Sequence, residues 1–202
     1  EISSRQEQYL PFIRHVVSNR HPLMDLGCGR GEWLTLLRSN GIPARGFDSN
    51  AVTVAECRSL DLDVSEGDLL TILREMSPAS LGAITMFQVL EHLPFQDMVE
   101  VLRLARQALK PGGVFIAEIP NLSTLFVGAS TFWIDPTHPR PLHPALVKFL
   151  AAQVGFVSVE ELSSTRLSPE LQFDHETAET NALKYLQSIL LGPADCAIIA
   201  KA

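Results

Sequence analysis

An α/β fold, with a largely parallel sheet covered by helices on both faces, follows from the alternation of short apolar runs and amphipathic segments along this chain. Two further features support it. An apolar run ending at Leu26 breaks into Gly27, Gly29 and Gly31 and then into helical spacing at Trp33, Leu34, Leu36 and Leu37, a strand, glycine loop and helix in succession. The stretch 83–90 is almost wholly apolar, as a central strand buried on both faces must be.

The elements follow in order. A helix is expected over 4–19, with Tyr9, Phe12, Ile13, Val16 and Val17 on its apolar side and Pro11 kinking or restarting it. A strand over 22–27 leads to a helix over 31–39 that stops at Asn40-Gly41. Strand 43–48 ends on Asp48, helix 50–59 follows, and strand 62–67 precedes Asp68, the N-cap of a helix over 69–76. Beyond strand 83–90, a helix over 95–109 points Met98, Val99, Leu102, Leu104 and Ala105 at the sheet. Pro111-Gly112-Gly113 is a hard turn before strand 114–119. The alternation then loosens. Prolines at 120, 136, 139 and 141 mark an ordered loop, followed by helix 144–154, strand 156–162, a helical stretch over 175–191 and a last strand over 195–201.

The chain has 202 residues, 46% hydrophobic and 19% charged, a globular composition expected to form one domain over 1–202. A net charge of -7 and a pI near 5.3 argue against a phosphate-binding groove, so no nucleic-acid partner is expected. Cys28, Cys57 and Cys196 are far apart and set in apolar surroundings, with neither zinc spacing nor a paired framework. A reduced, cytoplasmic environment is the expectation. No signal peptide and no apolar run of about 18 residues is present, so membrane association would be peripheral and would come through other domains. The first residue is Glu1 and not Met, which suggests a piece of a longer chain.

The glycine spacing discriminates between ligands. A dinucleotide loop is G-x-G-x-x-G, whose backbone N–H groups and helix dipole hold a pyrophosphate. Here the third glycine comes one residue early, and Glu32 at the helix start would repel such a group. A turn with only a folding role is the other reading of these glycines, and a nicotinamide site is disfavoured.

Gly27-Cys28-Gly29-Arg30-Gly31 resembles the cofactor loop of class I S-adenosylmethionine (SAM) methyltransferases. That resemblance implies a Rossmann-like fold, with a seven-stranded, mostly parallel sheet and an antiparallel last strand, and it implies SAM as cofactor. It implies too that Asp48, 17 residues beyond Gly31, accepts both ribose hydroxyls, and that Asp68 in Gly67-Asp68-Leu69 reads the adenine amino group. Read alone, Asp48 is equally a strand-end turn residue and Asp68 a helix cap. Gln88-Val89-Leu90-Glu91-His92-Leu93-Pro94 resembles the strand-four motif of ubiquinone-type methyltransferases, which lies beside the transferring methyl. Cofactor contacts are thus expected from Asp25, Gly27, Cys28, Gly29, Gly31, Asp48, Ser49, Asp68, Leu69 and Gln88. Glu91 and His92 also read as residues bonding backbone at a crowded corner.

The segment from Thr131 to Pro144, with Glu118-Ile119-Pro120-Asn121, Arg5-Gln6 and Tyr9-Leu10-Pro11, is similar to methyltransferase domains of bacterial surface-polysaccharide assembly, notably O-antigen chain terminators. The stretches 120–143 and 163–193 are then expected as lid or acceptor-side insertions, beside the N-terminal helical segment 1–21. Trp133 suits stacking on a sugar, Arg140 a phosphate or carboxylate, and His138 or His92 the acceptance of a proton. Expected catalytic residues are His138, His92 and Arg140, with Arg5, Tyr9, Asn121, Trp133, Asp135 and His143 on the substrate. The competing reading is a proline-stiffened loop whose histidines cap helices and whose Asp135 closes a turn. No metal cluster is visible in the sequence, so none is expected.

The reaction class that follows is O-methyl transfer from SAM to a glycan or phosphoglycan. A sugar hydroxyl would need a base; a phosphate would need only a cationic clamp. A small-molecule methyltransferase acting on a quinone precursor or secondary metabolite fits the same motifs up to residue 119, and a non-catalytic module of an assembly complex is the third reading. An oligomeric state is not specified by the sequence.

Overall fold

The computed structural model describes residues 5–163, 167, 172–173 and 175–202. Seven strands form one sheet: β1 (Leu23–Leu26), β2 (Ala44–Asp48), β3 (Val64–Glu66), β4 (Leu81–Phe87), β5 (Leu109–Pro120), β6 (Ser158–Ser163) and β7 (Asp195–Lys201). Their order is β3-β2-β1-β4-β5-β7-β6. The pairings β3-β2-β1-β4-β5 are all parallel, while β7 runs antiparallel to both neighbours. The strand order reverses between β1 and β4, and ligands of such sheets bind outside the carboxyl ends of the strands at that switch point.

Eight α-helices surround the sheet among the described residues: α1 (Leu10–Ile13), α2 (Glu32–Ser39), α3 (Ala51–Ser59), α4 (Leu69–Glu75), α5 (Phe95–Ala108), α6 (Leu125–Ala129), α7 (Pro144–Gln153) and α8 (Ala178–Leu190). Strand side chains alternate between two cores, as the two-residue period requires. Ile84 and Met86 of β4, Phe115 and Ala117 of β5 and Ile198 of β7 join residues of α4, α5 and α7 on one face. Ala83, Val114, Ile116, Ala197 and Ile199 join Tyr9, Ile13, Trp33, Leu37, Val54 and Cys57 on the other.

Several boundaries differ from the sequence expectation. The N-terminal helix is broken into a 3-10 turn (Glu7–Tyr9) and the short α1, because Pro11 stands in the first turn of α1 and lacks the N–H that a continuous helix needs. The fourth strand stops at Phe87, not Leu90, since Gln88 adopts φ +55 and turns the chain into a 3-10 turn, Leu90–His92. Pro111-Gly112-Gly113 lies within β5 as an irregularity: Gly112, at φ +74, donates to the Ala202 carbonyl, so the register shifts without ending the strand. On α5, Val101 is fully buried, whereas Val99 is only partly so. The loop after β5 contains α6 and a 3-10 turn, Thr131–Ile134, which the sequence pattern did not indicate. Of the predicted 163–193 insertion, α8 is described, and residues 164–166, 168–171 and 174 lie outside the described set.

Candidate active site

The glycine loop leaves the carboxyl end of β1 with Gly27, Gly29 and Gly31 at φ +75, +49 and +77, a conformation that glycine adopts without strain. Space is restricted as well. A Cβ on Gly27 would lie 2.5 Å from Val89 Cγ2, and one on Gly31 would lie 2.5 Å from Leu62 Cδ1. The loop's own N–H groups are already engaged: Gly27 and Cys28 donate to the Phe47 carbonyl, Gly31 to the Cys28 carbonyl, and Gly29 to Asp48 Oδ2 at 2.9 Å. Such a loop has few donors left for a pyrophosphate. It suits a ligand that is neutral or cationic where it rests on the main chain.

Asp48 is held from two sides, because Oδ1 accepts from Asn50 N at 2.8 Å while Oδ2 takes Gly29 N. With Gly27, Phe47, Ser49, Gly67, Asp68, Leu69 and Val89 it lines a cleft of about 150 Å³. Asp68 caps α4, and its Oδ1 accepts from both the N–H and the hydroxyl of Thr71 at 2.9 Å. The backbone bond from Thr71 leads the causes that hold this carboxyl below its ordinary range. Asp68 is therefore a cap and a cleft wall at once, and the carboxylates of Asp48 and Asp68 stand along an apolar wall of Phe47, Leu69 and Val89. Cys28 directs its thiol into the core against Gly46, and burial pushes the thiol up, so only its main chain faces the loop.

Behind the loop, Trp33 Nε1 donates to Thr85 Oγ1 (3.1 Å), which donates to Asp25 Oδ1 (2.7 Å). Burial lifts Asp25 to about 7. A neighbouring cleft of about 190 Å³ is lined by Arg5, Gln6, Phe87, Gln88, Glu118 and Asp195. Gln88 Nε2 donates to Asp195 Oδ1 at 3.2 Å, Tyr9 donates to Glu118 Oε2, and Arg5 pairs with Asp195 at 2.5 Å. Burial raises Glu118, and burial beside that acid raises Tyr9. Tyr9 also stacks on Phe87 at 5.3 Å and meets Trp33 edge-on, which fixes the N-terminal segment over this cleft. Asp48, Glu118 and Asp195 thus stand near one end of the sheet and line the two clefts, an acidic setting for a cationic ligand. A larger cavity of about 380 Å³, lined by Leu34, Pro43 and Asp63 among others, lies at the amino ends of β2 and β3, away from these groups.

The 131–143 loop folds back onto the turn after β4. Asp135 Oδ1 accepts from the Thr137 N–H (2.8 Å) and hydroxyl (2.6 Å), and the Thr137 hydroxyl oxygen lies 2.8 Å from His92 Nδ1. Since that hydroxyl directs its proton to Asp135, His92 Nδ1 is the donor. His138 Nδ1 lies 2.8 Å from the Phe132 carbonyl, which can only accept, so it also carries a proton. His138 stacks on Phe132, and the His92 and His138 rings are 4.8 Å apart. Thr137 holds Asp135 below its ordinary range. Glu91, in the same turn, is buried with neither carboxyl oxygen in a well-formed hydrogen bond, and burial lifts it to about 8 against the weaker pull of its own backbone N–H. Arg140 lies over the Phe95 ring at 4.5 Å, its Nη2 buried and without a partner.

The remaining expected substrate residues are occupied in the fold. Asn121 Oδ1 accepts from Ser123 N, His143 Nδ1 caps α7 by accepting from Ala145 N, and Trp133, itself exposed, donates from Nε1 to the Gly128 carbonyl. Sequence reasoning did not single out Asp195, Thr137 or Thr85. Asp195 carries no local signal, because only the pairing of Pro120 with Asp195 across β5 and β7 brings it to the site.

Comparison with known proteins decides the family. A model described as a methyltransferase domain matches residues 4–162. The chain belongs to that methyltransferase family. It is similar to a SAM-dependent methyltransferase of Archaeoglobus fulgidus, with a TM-score of 0.89, 28% identity, and coverage of 100% of this chain and 93% of that one. It is 31% identical over 154 residues to a probable S-adenosylmethionine-dependent methyltransferase of Mycolicibacterium smegmatis, covering 75% of this chain and 58% of that protein. A ubiquinone biosynthesis O-methyltransferase of Paracidovorax citrulli is 30% identical over 112 residues, covering 52% of this chain and 46% of that protein. The methyltransferase chain spans about half the length of such curated relatives. Family and fold imply S-adenosylmethionine as cofactor. The residues present fit it, since the glycine loop has its N–H groups engaged and acids line the clefts beside it. No described helix is long and apolar enough to cross a membrane.

Proposed function

We propose that this chain transfers a methyl group from SAM to an oxygen of a glycan or phosphoglycan acceptor. SAM lies along the Gly27–Gly31 loop, with its ribose on Asp48, its adenine against Leu69 beside Asp68, and its methionine ammonium toward the Glu118 and Asp195 cleft. The sulfonium is activated already, so the protein has to place the acceptor oxygen in line and keep water out. The observation that carries the acceptor side is the contact of the 131–143 loop with the turn after β4. It packs His138 against the turn that carries His92, three residues past the cleft-lining Val89, and each imidazole has its Nδ1 proton anchored. His138 or His92 takes the proton of a sugar hydroxyl through Nε2, and Arg140, with an unpartnered Nη2, clamps a phosphate.

The test has two arms. Titration calorimetry with SAM should show binding that Asp48→Ala weakens; no binding by the wild type would overturn the cofactor assignment. Methyl transfer from labelled SAM to phosphorylated and unphosphorylated glycan ends should reveal turnover on at least one of them. Transfer to polyprenylated catechols alone would replace the glycan reading with the quinone-precursor one.

A further inference from the structure

One ligand-type atom from each of Glu91, His92 and His138 lies within 4.8 Å of the other two. We propose that these three residues bind a divalent transition-metal ion of the Zn²⁺ class. Ligands at about 2.0–2.1 Å from one Zn²⁺ stand about 3.3 Å apart in a tetrahedron, so modest rotamer adjustments close the set.

Two further observations point to a cation. The Glu91 side chain is buried, at 2% exposure, and neither carboxylate oxygen has a hydrogen-bond partner or, among the described residues, a salt bridge. Burial disfavours the charged form of an unpaired carboxyl, and a cation bound in place of its proton would stabilise the carboxylate. Both histidines, in turn, are anchored as metal ligands are: Nδ1–H of His138 donates to the Phe132 carbonyl, and that of His92 to the Thr137 hydroxyl, itself tied to Asp135. Each ring is left with Nε2 as a free donor atom for a metal. Two imidazoles and a carboxylate favour Zn²⁺ or a similar borderline ion over Mg²⁺ and Ca²⁺, which take oxygen ligands.

Three protein ligands leave a coordination position open. With the ion bound, both Nε2 atoms are ligands and neither imidazole is a base; an acceptor hydroxyl at the open position would instead have its pKa lowered by the ion and release its proton to solvent. That role rests on the function proposed above and takes the place of the histidine base; the binding of the ion does not rest on it. Glu91 stands two residues past Val89 of the cofactor cleft, so the ion would sit on the turn that joins cofactor and acceptor sides.

The experiment is metal binding by the chelator-treated chain, measured by calorimetry with Zn²⁺ and with Mg²⁺, and by visible absorption of the Co²⁺ form, whose d–d bands report nitrogen and oxygen ligation. The expected result is one Zn²⁺ per chain, bound far more tightly than Mg²⁺, with affinity reduced at least about 100-fold in Glu91→Gln and in His138→Ala. His15→Ala/His175→Ala, at two exposed histidines, should bind as the wild type does. Absence of Zn²⁺ binding at micromolar concentrations, or wild-type affinity in both Glu91→Gln and His138→Ala, would overturn the site. SAM binding by each variant controls for folding, and if Glu91→Gln does not fold, the His138→Ala variant on the outer loop decides alone. SAM binding without Zn²⁺ binding sinks the metal site only; Zn²⁺ binding without SAM binding sinks the methyltransferase reading only.

Discussion

Around the glycine loop, Asp48 and Asp68 have backbone donors, and the N–H groups of Gly27, Cys28, Gly29 and Gly31 all have acceptors before any ligand arrives. Around the turn after β4, by contrast, Glu91 and Arg140 hold buried polar atoms without partners. The proposed cofactor cradle around Asp48 and Asp68 is thus held by its own main chain, whereas the proposed acceptor side keeps buried polar atoms that no hydrogen bond satisfies. A common cofactor needs one fixed cradle; an acceptor site needs groups free to engage what enters.

The largest expected effect tests the acceptor side. His138→Ala should lower kcat by about 10²–10⁴-fold, the usual worth of a positioned base, while SAM affinity stays near wild type. A parallel loss of SAM affinity, measured by calorimetry, would show that the two sides are not separable. Next, Asp48→Ala should weaken SAM by about 10–100-fold, through two lost charge-assisted bonds and a released Gly29 N–H, with acceptor KM little changed. Equal affinity in this variant would mean that the cradle does not depend on the acid.

Asp25 sharpens the comparison through pH. Its folded-state value of about 7 lies above the ordinary 3.8, so the folded protein holds a proton that the unfolded chain has released. The resulting stability is full below pH 3.8 and is lost as pH rises through about 7. Asp25→Asn keeps an acceptor for Thr85, and its Tm advantage over the wild type should be larger at pH 8 than at pH 5, by about 2–4 °C per kcal/mol for a chain of this size. A thermal scan with a constant difference would contradict a buried, protonated Asp25. The smallest effect is Asp68→Ala, with loss of the α4 cap costing about 1 kcal/mol in denaturant unfolding even without SAM.

The local geometry of the glycine loop and its flanking acids was legible in the sequence because its determinants are local. A left-handed backbone needs glycine, a strand end needs a turn residue, and a helix start needs a cap, so spacing along the chain maps directly onto Gly27–Gly31, Asp48 and Asp68. Strand and helix order was legible too, since alternation with period two or 3.6 reflects which face is buried. The sequence was misleading where tertiary packing overrode local pattern: Val89 and Leu90 extend an apolar run, yet Gln88 has already turned the chain out of β4 and Leu90 is buried as part of a 3-10 turn.

Only the folded chain decided the rest. Asp195 reaches the site through the antiparallel register of β5 and β7, and no feature near Asp195 in the sequence announces it. His92 and His138 are 46 residues apart, so no ligand spacing could disclose that their rings meet at 4.8 Å beside a buried Glu91. The reason is physical. Backbone conformation is set by neighbours in the chain, and the amino-acid pattern records it, whereas a side-chain constellation is set by how distant elements pack, which the pattern of any one segment does not contain.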